Sequence, residues 1–142
     1  MAANILIVDD EEGIRKSLSA YFKMEGYTAE TAGDGAEAIE KLKKAKFNII
    51  LLDINMPVMD GLETLQNIKA IDFSIQVIMM TAYSTFDKTM KSLEYGATDY
   101  ILKPFENLGE ILNLIRISEE RLDRWRKNMS ATIIKQRSAP AK

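Results

Sequence analysis

Asp9 and Asp10 follow the apolar run Ile5-Leu6-Ile7-Val8, and Asp53 follows Ile49-Ile50-Leu51-Leu52. Thr81 follows Val77-Ile78-Met79-Met80, and Lys103 follows Tyr100-Ile101-Leu102. Three carboxylates, a hydroxyl and an ammonium suit a divalent cation and a phosphoryl group. Acids brought together raise one another's pKa unless a counter-charge is supplied. Lys103 brings one positive charge, and an oxygen-loving cation would bring more. Magnesium accepts few carboxylates and keeps waters and phosphate oxygens. Zinc favours His and Cys, and this chain has neither. A carboxylate beside such a cation can attack phosphorus and form an acyl phosphate. Asp53 is the best candidate, because a buried strand would hold it in line. Lys103 and the metal would stabilise charge on the equatorial oxygens, and Thr81 could donate a hydrogen bond to the attached group.

Each residue alone has a plainer reading. A strand-end Asp is usually a cap, Thr81 could bond backbone, Lys103 could be a solvated lysine before a turn proline, and Tyr100 could be core. The joint pattern carries the argument, because every one of these polar residues falls at the same edge of one expected sheet.

That sheet follows from the alternation of apolar runs with helical patterns, which predicts βαβ units. Strands are expected at 4–8, 28–32, 48–52, 76–80 and 99–102, and the apolar runs among them read as buried. The second, less apolar, belongs near an edge, and the third, apolar throughout, belongs at the centre. The first helix is expected over 12–25, with Ile14, Leu18 and Phe22 on one face and Gly26 as its stop. Asp34 and Asp60 are candidate N-caps for the second and third helices. Ser84 with Asp87, and Asn107 with Glu110, read as capping boxes for the fourth and fifth. Right-handed crossovers then give a doubly wound α/β domain, whose ligands bind outside the carboxyl ends of the strands.

The 142 residues suit one domain with a full core, and 46% apolar residues exclude a disordered chain. With no cysteine there is no disulfide framework or thiolate chemistry, and with no histidine any phosphohistidine belongs to a partner. No run has the length of a membrane span, and the first residues lack a signal-peptide pattern, so a cytoplasmic location is expected. The net charge of −2 is split: residues 121–142 carry seven basic residues against one acidic, a net +6, which leaves −8 on the rest. A domain is therefore expected over 1–120, followed by a basic helical extension over 121–142 whose last residues fray. Leu108, Ile111, Ile115, Ser118, Leu122, Trp125 and Met129 form a heptad-like seam interrupted by Ser118. By length, this helix should outrun a small domain near residue 120. The extension reads as a dimerising helix, giving a homodimer, or as a linker to an output domain. Nucleic-acid binding is the weaker reading of its basic surface, and no membrane contact is expected.

At this point the residues resemble a known family, the receiver domains of two-component response regulators. The resemblance covers about residues 4–120. It rests on Ile-Val-Asp9-Asp10-Glu11, Leu-Leu-Asp53-Ile-Asn-Met-Pro57 with Met-Asp60-Gly61, Met-Thr81-Ala82, and Lys103-Pro104-Phe105. Asp10, Asp53, Thr81 and Lys103 are separated by 43, 28 and 22 positions. The resemblance implies a flavodoxin-like fold, (βα)5, with a five-stranded parallel sheet in the order 2-1-3-4-5, to which the seam pattern adds an extended C-terminal helix. It implies that Asp53 is the phosphoacceptor. Asp10, Asp53 and the backbone carbonyl of Asn55 would ligate Mg2+, with Asp9 acting through water. Lys103 would hold the phosphoryl group, with a cis bond to Pro104. Thr81 and Tyr100 would form a switch pair that reshapes the face of helix 4, strand 5 and helix 5. The donor would be a sensor histidine kinase or phosphotransfer protein of a bacterial two-component system. The chain would not be an enzyme beyond its own phosphorylation and dephosphorylation. Tyr83 would shield the acyl phosphate from water.

Two other classes fit less well. An aspartate-nucleophile phosphohydrolase of the haloacid dehalogenase type needs a second Asp two positions after the nucleophile, where this chain has Asn55, and usually a cap domain. A flavin module on the same fold needs a Ser/Thr/Gly-rich phosphate loop where this chain has Asp9-Asp10-Glu11-Glu12.

Overall fold

In the computed structural model, the described residues are 3–138, apart from the side chains of Tyr83 and of 133–138. Five βα units follow in order: β1 (Asn4–Val8), α1 (Glu12–Met24), β2 (Thr28–Ala32), α2 (Gly35–Lys44), β3 (Ile49–Asp53), α3 (Gly61–Ile71), β4 (Gln76–Thr81), α4 (Phe86–Glu94), β5 (Asp99–Leu102) and α5 (Leu108–Ser138). All pairings are parallel, in the order β2-β1-β3-β4-β5. This is the doubly wound fold expected from the alternation of patterns, with the flavodoxin-like strand order that the family resemblance implied. The expected fraying of the last residues lies outside the described residues.

The sheet has two buried faces, because side chains alternate along each strand. Leu6, Val8, Ile50, Leu52, Val77 and Met79 point to one face, where Leu65 and Ile68 of α3 and Ala38 of α2 cover them. Ile5, Ile7, Ile49, Leu51, Ile78 and Met80 point to the other, under Leu18 and Phe22 of α1 and Ile111 and Ile115 of α5. Every residue of β3 and β4 is buried, as expected for central strands. Both run one residue further than their apolar runs and so take Asp53 and Thr81 into the ladder.

β5 differs from its expectation. Tyr100 and Leu102 are each 41% exposed, because β5 is an edge strand and one of its faces is left uncovered. A continuous apolar run does not distinguish a central strand from an edge.

Asp34 and Asp60 cap α2 and α3 as read, accepting from the Glu37 amide at 2.8 Å and the Glu63 amide at 2.9 Å. The capping box at Ser84 and Asp87 does not form. Residues Tyr83–Thr85 make a 3-10 turn, and α4 begins after Thr85 without a side-chain cap hydrogen bond. Thr85 turns inward and bonds Ala82, which displaces Ser84 from the capping position. Asn107 accepts from the Gly109 amide at 2.8 Å, while the Glu110 amide bonds the Asn107 carbonyl, so that box is half made. Gly26 and Gly96 follow α1 and α4 with φ of 91° and 102°, the left-handed stop that glycine takes without strain.

α5 packs on the sheet through Ile111 and Ile115. Ser118, the break in the seam, is buried, and its carbonyl accepts from Gln76 Nε2 at 2.5 Å, while Arg121 donates to Gln76 Oε1 at 2.8 Å. Leu122 is still buried, and Trp125 and Met129, 41% and 65% exposed, line a groove with Phe47 and Ile75. Among the described residues, no helix is long and apolar enough to cross a membrane.

Candidate phosphoryl and metal site

Register decides where the functional side chains meet. Val8 lies opposite Leu52, Asp53 opposite Met80, and Thr81 opposite Leu102. The chain therefore leaves β1, β3, β4 and β5 along one rim, and Asp9, Asp10, Asp53, Thr81 and Lys103 all arrive there. α3 can start close beneath Asp53 because Gly61 has no side chain: a Cβ there would lie 2.4 Å from the Asp53 carbonyl oxygen.

Carboxylate oxygens of Asp9, Asp10 and Asp53 lie within 4.8 Å of one another. Asp9 is fully buried, Asp53 is 4% exposed, and Asp10 is open to solvent. Lys103 Nζ lies 2.7 Å from Asp9 Oδ2 and 3.5 Å from Asp53 Oδ2. Asp9 is held from two further directions. Its Oδ1 accepts from the Glu11 amide at 2.9 Å, and its backbone carbonyl accepts from Arg15 Nη1 at 2.7 Å. Asp53 Oδ1 accepts a longer bond from the Asn55 amide at 3.3 Å. Lys103 is fixed by its own amide, which donates to the Thr81 carbonyl at 2.7 Å, and its bond to Pro104 is cis.

Burial pushes the Asp53 carboxyl up to about 6, and the Asp9 charge adds to this, while Lys103 and the Asn55 amide pull the other way. Burial disfavours the Lys103 ammonium, yet the Asp9 hydrogen bond and the charges of Asp53 and Asp9 leave its pKa raised. One ammonium thus does not balance the acids. An all-oxygen donor set, short of positive charge and open to solvent at Asp10, fits a hard divalent cation.

Asn55 is exposed beside the cluster, on the loop after β3. Thr81 is buried, and its hydroxyl is engaged away from the acids, 2.6 Å from Thr85 Oγ1 and 2.7 Å from Thr89 Oγ1. Tyr100 stands outward on β5. The side chain of Tyr83 lies outside the described residues. Sequence reasoning missed Arg15, Thr85, Thr89 and the closeness of Gly61 to Asp53. The repeat of threonine at 81, 85 and 89 was the available signal.

Residues 5–116 match the family model described as the response regulator receiver domain. Sporulation initiation phosphotransferase F of Bacillus subtilis is 41% identical over 116 residues, which are 82% of this chain and 93% of that protein. Transcriptional regulatory protein ZraR of Klebsiella oxytoca is 40% identical over 122 residues, 82% of this chain but 28% of that protein. Among solved structures, Vibrio cholerae chemotaxis protein CheY4 superposes with a TM-score of 0.77 at 34% identity, covering 83% of this chain and 99% of that one. NtrX from Brucella abortus gives 0.85 at 28% identity, covering 91% of this chain and 30% of that one.

Proposed function

Because this chain belongs to the response regulator receiver domain family, we propose that Asp53 is its phosphoacceptor and that phosphorylation there operates a Thr81/Tyr100 switch. Receivers of this family are phosphorylation-activated signalling switches that meet histidine kinases or phosphotransfer proteins. The observation that carries the finer reading is the meeting of Asp9, Asp10 and Asp53 within 4.8 Å under a lysine that reaches both buried acids.

A carboxylate oxygen of Asp53 attacks phosphorus while the phosphorus–nitrogen bond of a partner's phosphohistidine breaks. The electron pair leaves with the imidazole nitrogen, and the product is an acyl phosphate on Asp53. Asp10, Asp53 and the Asn55 carbonyl would hold Mg2+, with Asp9 acting through water. When bound, the ion neutralises charge on the phosphoryl oxygens. Lys103, released from sharing between two acids, pairs with the phosphoryl group. Thr81 turns from its threonine partners to donate to that group, and Tyr100 moves inward. The face of α4, β5 and α5 then presents a different surface to its target. This is a population shift, driven by contacts made only in the phosphorylated state.

Beyond about residue 120, the basic extension is read as a helix that dimerises or that leads to an output unit, and the location as cytoplasmic. Regulators such as ZraR, much longer than this chain, agree with the second use of the extension.

Incubation with acetyl phosphate and magnesium, followed by intact mass, tests the reading. The chain should gain the mass of one phosphoryl group, lost with chelator and in Asp53→Asn. A gain that persists in Asp53→Asn would place the acceptor elsewhere.

A further inference from the structure

α4 is seated on the sheet by hydroxyls. Thr89 and Ser92 are its buried residues, and Thr85, just before it, is buried as well. Its apolar Phe86 and Met90 face outward, 59% and 49% exposed, while Leu93 packs partly against the core. The neighbouring α3 instead buries Leu65 and Ile68. Apolar packing fixes a helix by shape, whereas a hydrogen bond contributes little net stability and is readily exchanged when another partner stands near.

Thr81 stands at the head of that hydroxyl stripe. Each hydroxyl has one proton to give and two lone pairs. Thr85 Oγ1 donates to the Ala82 carbonyl at 2.8 Å and accepts from the Ala82 amide at 3.2 Å. Thr89 Oγ1 has two acceptors within reach, Thr81 Oγ1 at 2.7 Å and the Thr85 carbonyl at 3.0 Å. An assignment that satisfies the whole group runs from Thr89 to Thr81, from Thr81 to Thr85, and from Thr85 to the Ala82 carbonyl. If the Thr81 hydroxyl turns away, Thr89 redirects its proton to the Thr85 carbonyl, and Thr85 keeps both contacts with Ala82. No buried hydroxyl is left unpaired in either arrangement, so the penalty for stranding one is avoided in both.

We propose that Thr85 and Thr89 are positioning residues of the switch: their hydroxyls hold Thr81 against α4 in the resting state and release it without stranding a buried polar group. The departure of Thr81 removes a tie between β4 and α4, which loosens a helix that little apolar packing holds. This rests on the reading of Thr81 as the residue drawn toward phosphorylated Asp53.

The test uses the full chain with magnesium and beryllofluoride as the phosphoryl mimic. Affinity is read by calorimetry, and α4 amide exchange over residues 86–94 by mass spectrometry. Thr89→Val keeps the shape and removes the hydroxyl. It should bind the mimic more tightly by up to about threefold, because it removes the 2.7 Å bond to Thr81 at rest but only the longer 3.0 Å bond to the Thr85 carbonyl after release, and it should exchange faster in α4 before any mimic is added. Thr89→Ser should return both values to those of the parent, and Thr89→Ala repeats the comparison should the valine variant fail to fold. If beryllofluoride leaves α4 exchange unchanged in the parent, or equally changed in Thr81→Ala, the switch reading itself falls. If the parent responds and Thr81→Ala does not, while Thr89→Val and Thr89→Ala match the parent in both readouts, the hydroxyl relay alone is overturned.

Discussion

In the resting site Lys103 sits closer to Asp9 than to the proposed acceptor, though it reaches both: its ammonium lies 2.7 Å from Asp9 Oδ2 and 3.5 Å from Asp53 Oδ2. Asp9 is fully buried, and Lys103 is the ammonium beside it. Removing one member of a buried pair leaves the other uncompensated and costs several kcal/mol, whereas removing both costs far less. Lys103→Met should therefore lower the unfolding free energy at pH 7 by about 2–4 kcal/mol without magnesium. Asp9→Asn combined with Lys103→Met should recover part of that loss. Urea unfolding of the four members of the cycle measures the coupling, and strictly additive losses would refute the pairing.

Asp53 makes the metal-free domain sensitive to pH in an unusual direction. Its pKa is raised from 3.8 to about 6 by burial and by Asp9, so the folded state holds a proton that the unfolded chain has released. Between these values the folded state binds more protons, and stability falls as pH rises. The loss across the window should reach up to roughly 3 kcal/mol. Asp53→Asn should flatten this part of the profile, and magnesium should offset it above pH 6. Stability that rises through the window by the same amount in the parent and in Asp53→Asn would contradict the assignment.

Gly61 seats α3 under the site. A Cβ there would meet the Asp53 carbonyl at 2.4 Å and Ile54 Cα at 2.6 Å, both backbone atoms that cannot swing aside. Gly61→Ala should cost about 1–3 kcal/mol through overpacking and should slow phosphorylation by acetyl phosphate, because the strain falls on the backbone of Asp53. Gly13, near the start of α1, has nothing within 4 Å of the same position. Gly13→Ala should be neutral or stabilising by up to about 1 kcal/mol. Thermal melts of the two variants make the comparison.

Val58 carries local strain on the loop between Asp53 and α3. Its φ is 68°, a left-handed conformation that β-branched residues resist, and its side chain is fully exposed. Val58→Asn should stabilise the domain by about 1 kcal/mol, because asparagine tolerates this region and no packing is lost. An unchanged or lowered midpoint of chemical unfolding would count against strain at this position.

The strand ends were legible because apolar runs are bounded sharply by Asp9, Asp53, Thr81 and Lys103, and sheet topology turns those boundaries into one rim. The caps at Asp34 and Asp60 were legible because their partners lie three residues away in sequence. Three features were hidden. The exposure of Tyr100 and Leu102 depends on β5 having a neighbour on one side only, which is a property of strand order. The inward stripe of Thr85, Thr89 and Ser92 is polar, so apolar periodicity shows no core face for α4, and its start is read from Ser84 and Asp87 instead. The bond from Arg15 to the Asp9 carbonyl likewise comes from a backbone group that carries no sequence signal.

The central claim is that the carboxylate of Asp53 carries the phosphoryl group, and borohydride trapping tests it most directly. An acyl phosphate is reduced by borohydride to the alcohol, so a phosphorylated aspartate becomes homoserine. After treatment with acetyl phosphate and magnesium, then borohydride, peptide mass spectrometry should find homoserine at position 53 and intact aspartate at Asp9 and Asp10. Homoserine at either of those residues instead, or a phosphoryl group that survives as an ester on a hydroxyl such as Thr81, would contradict the account.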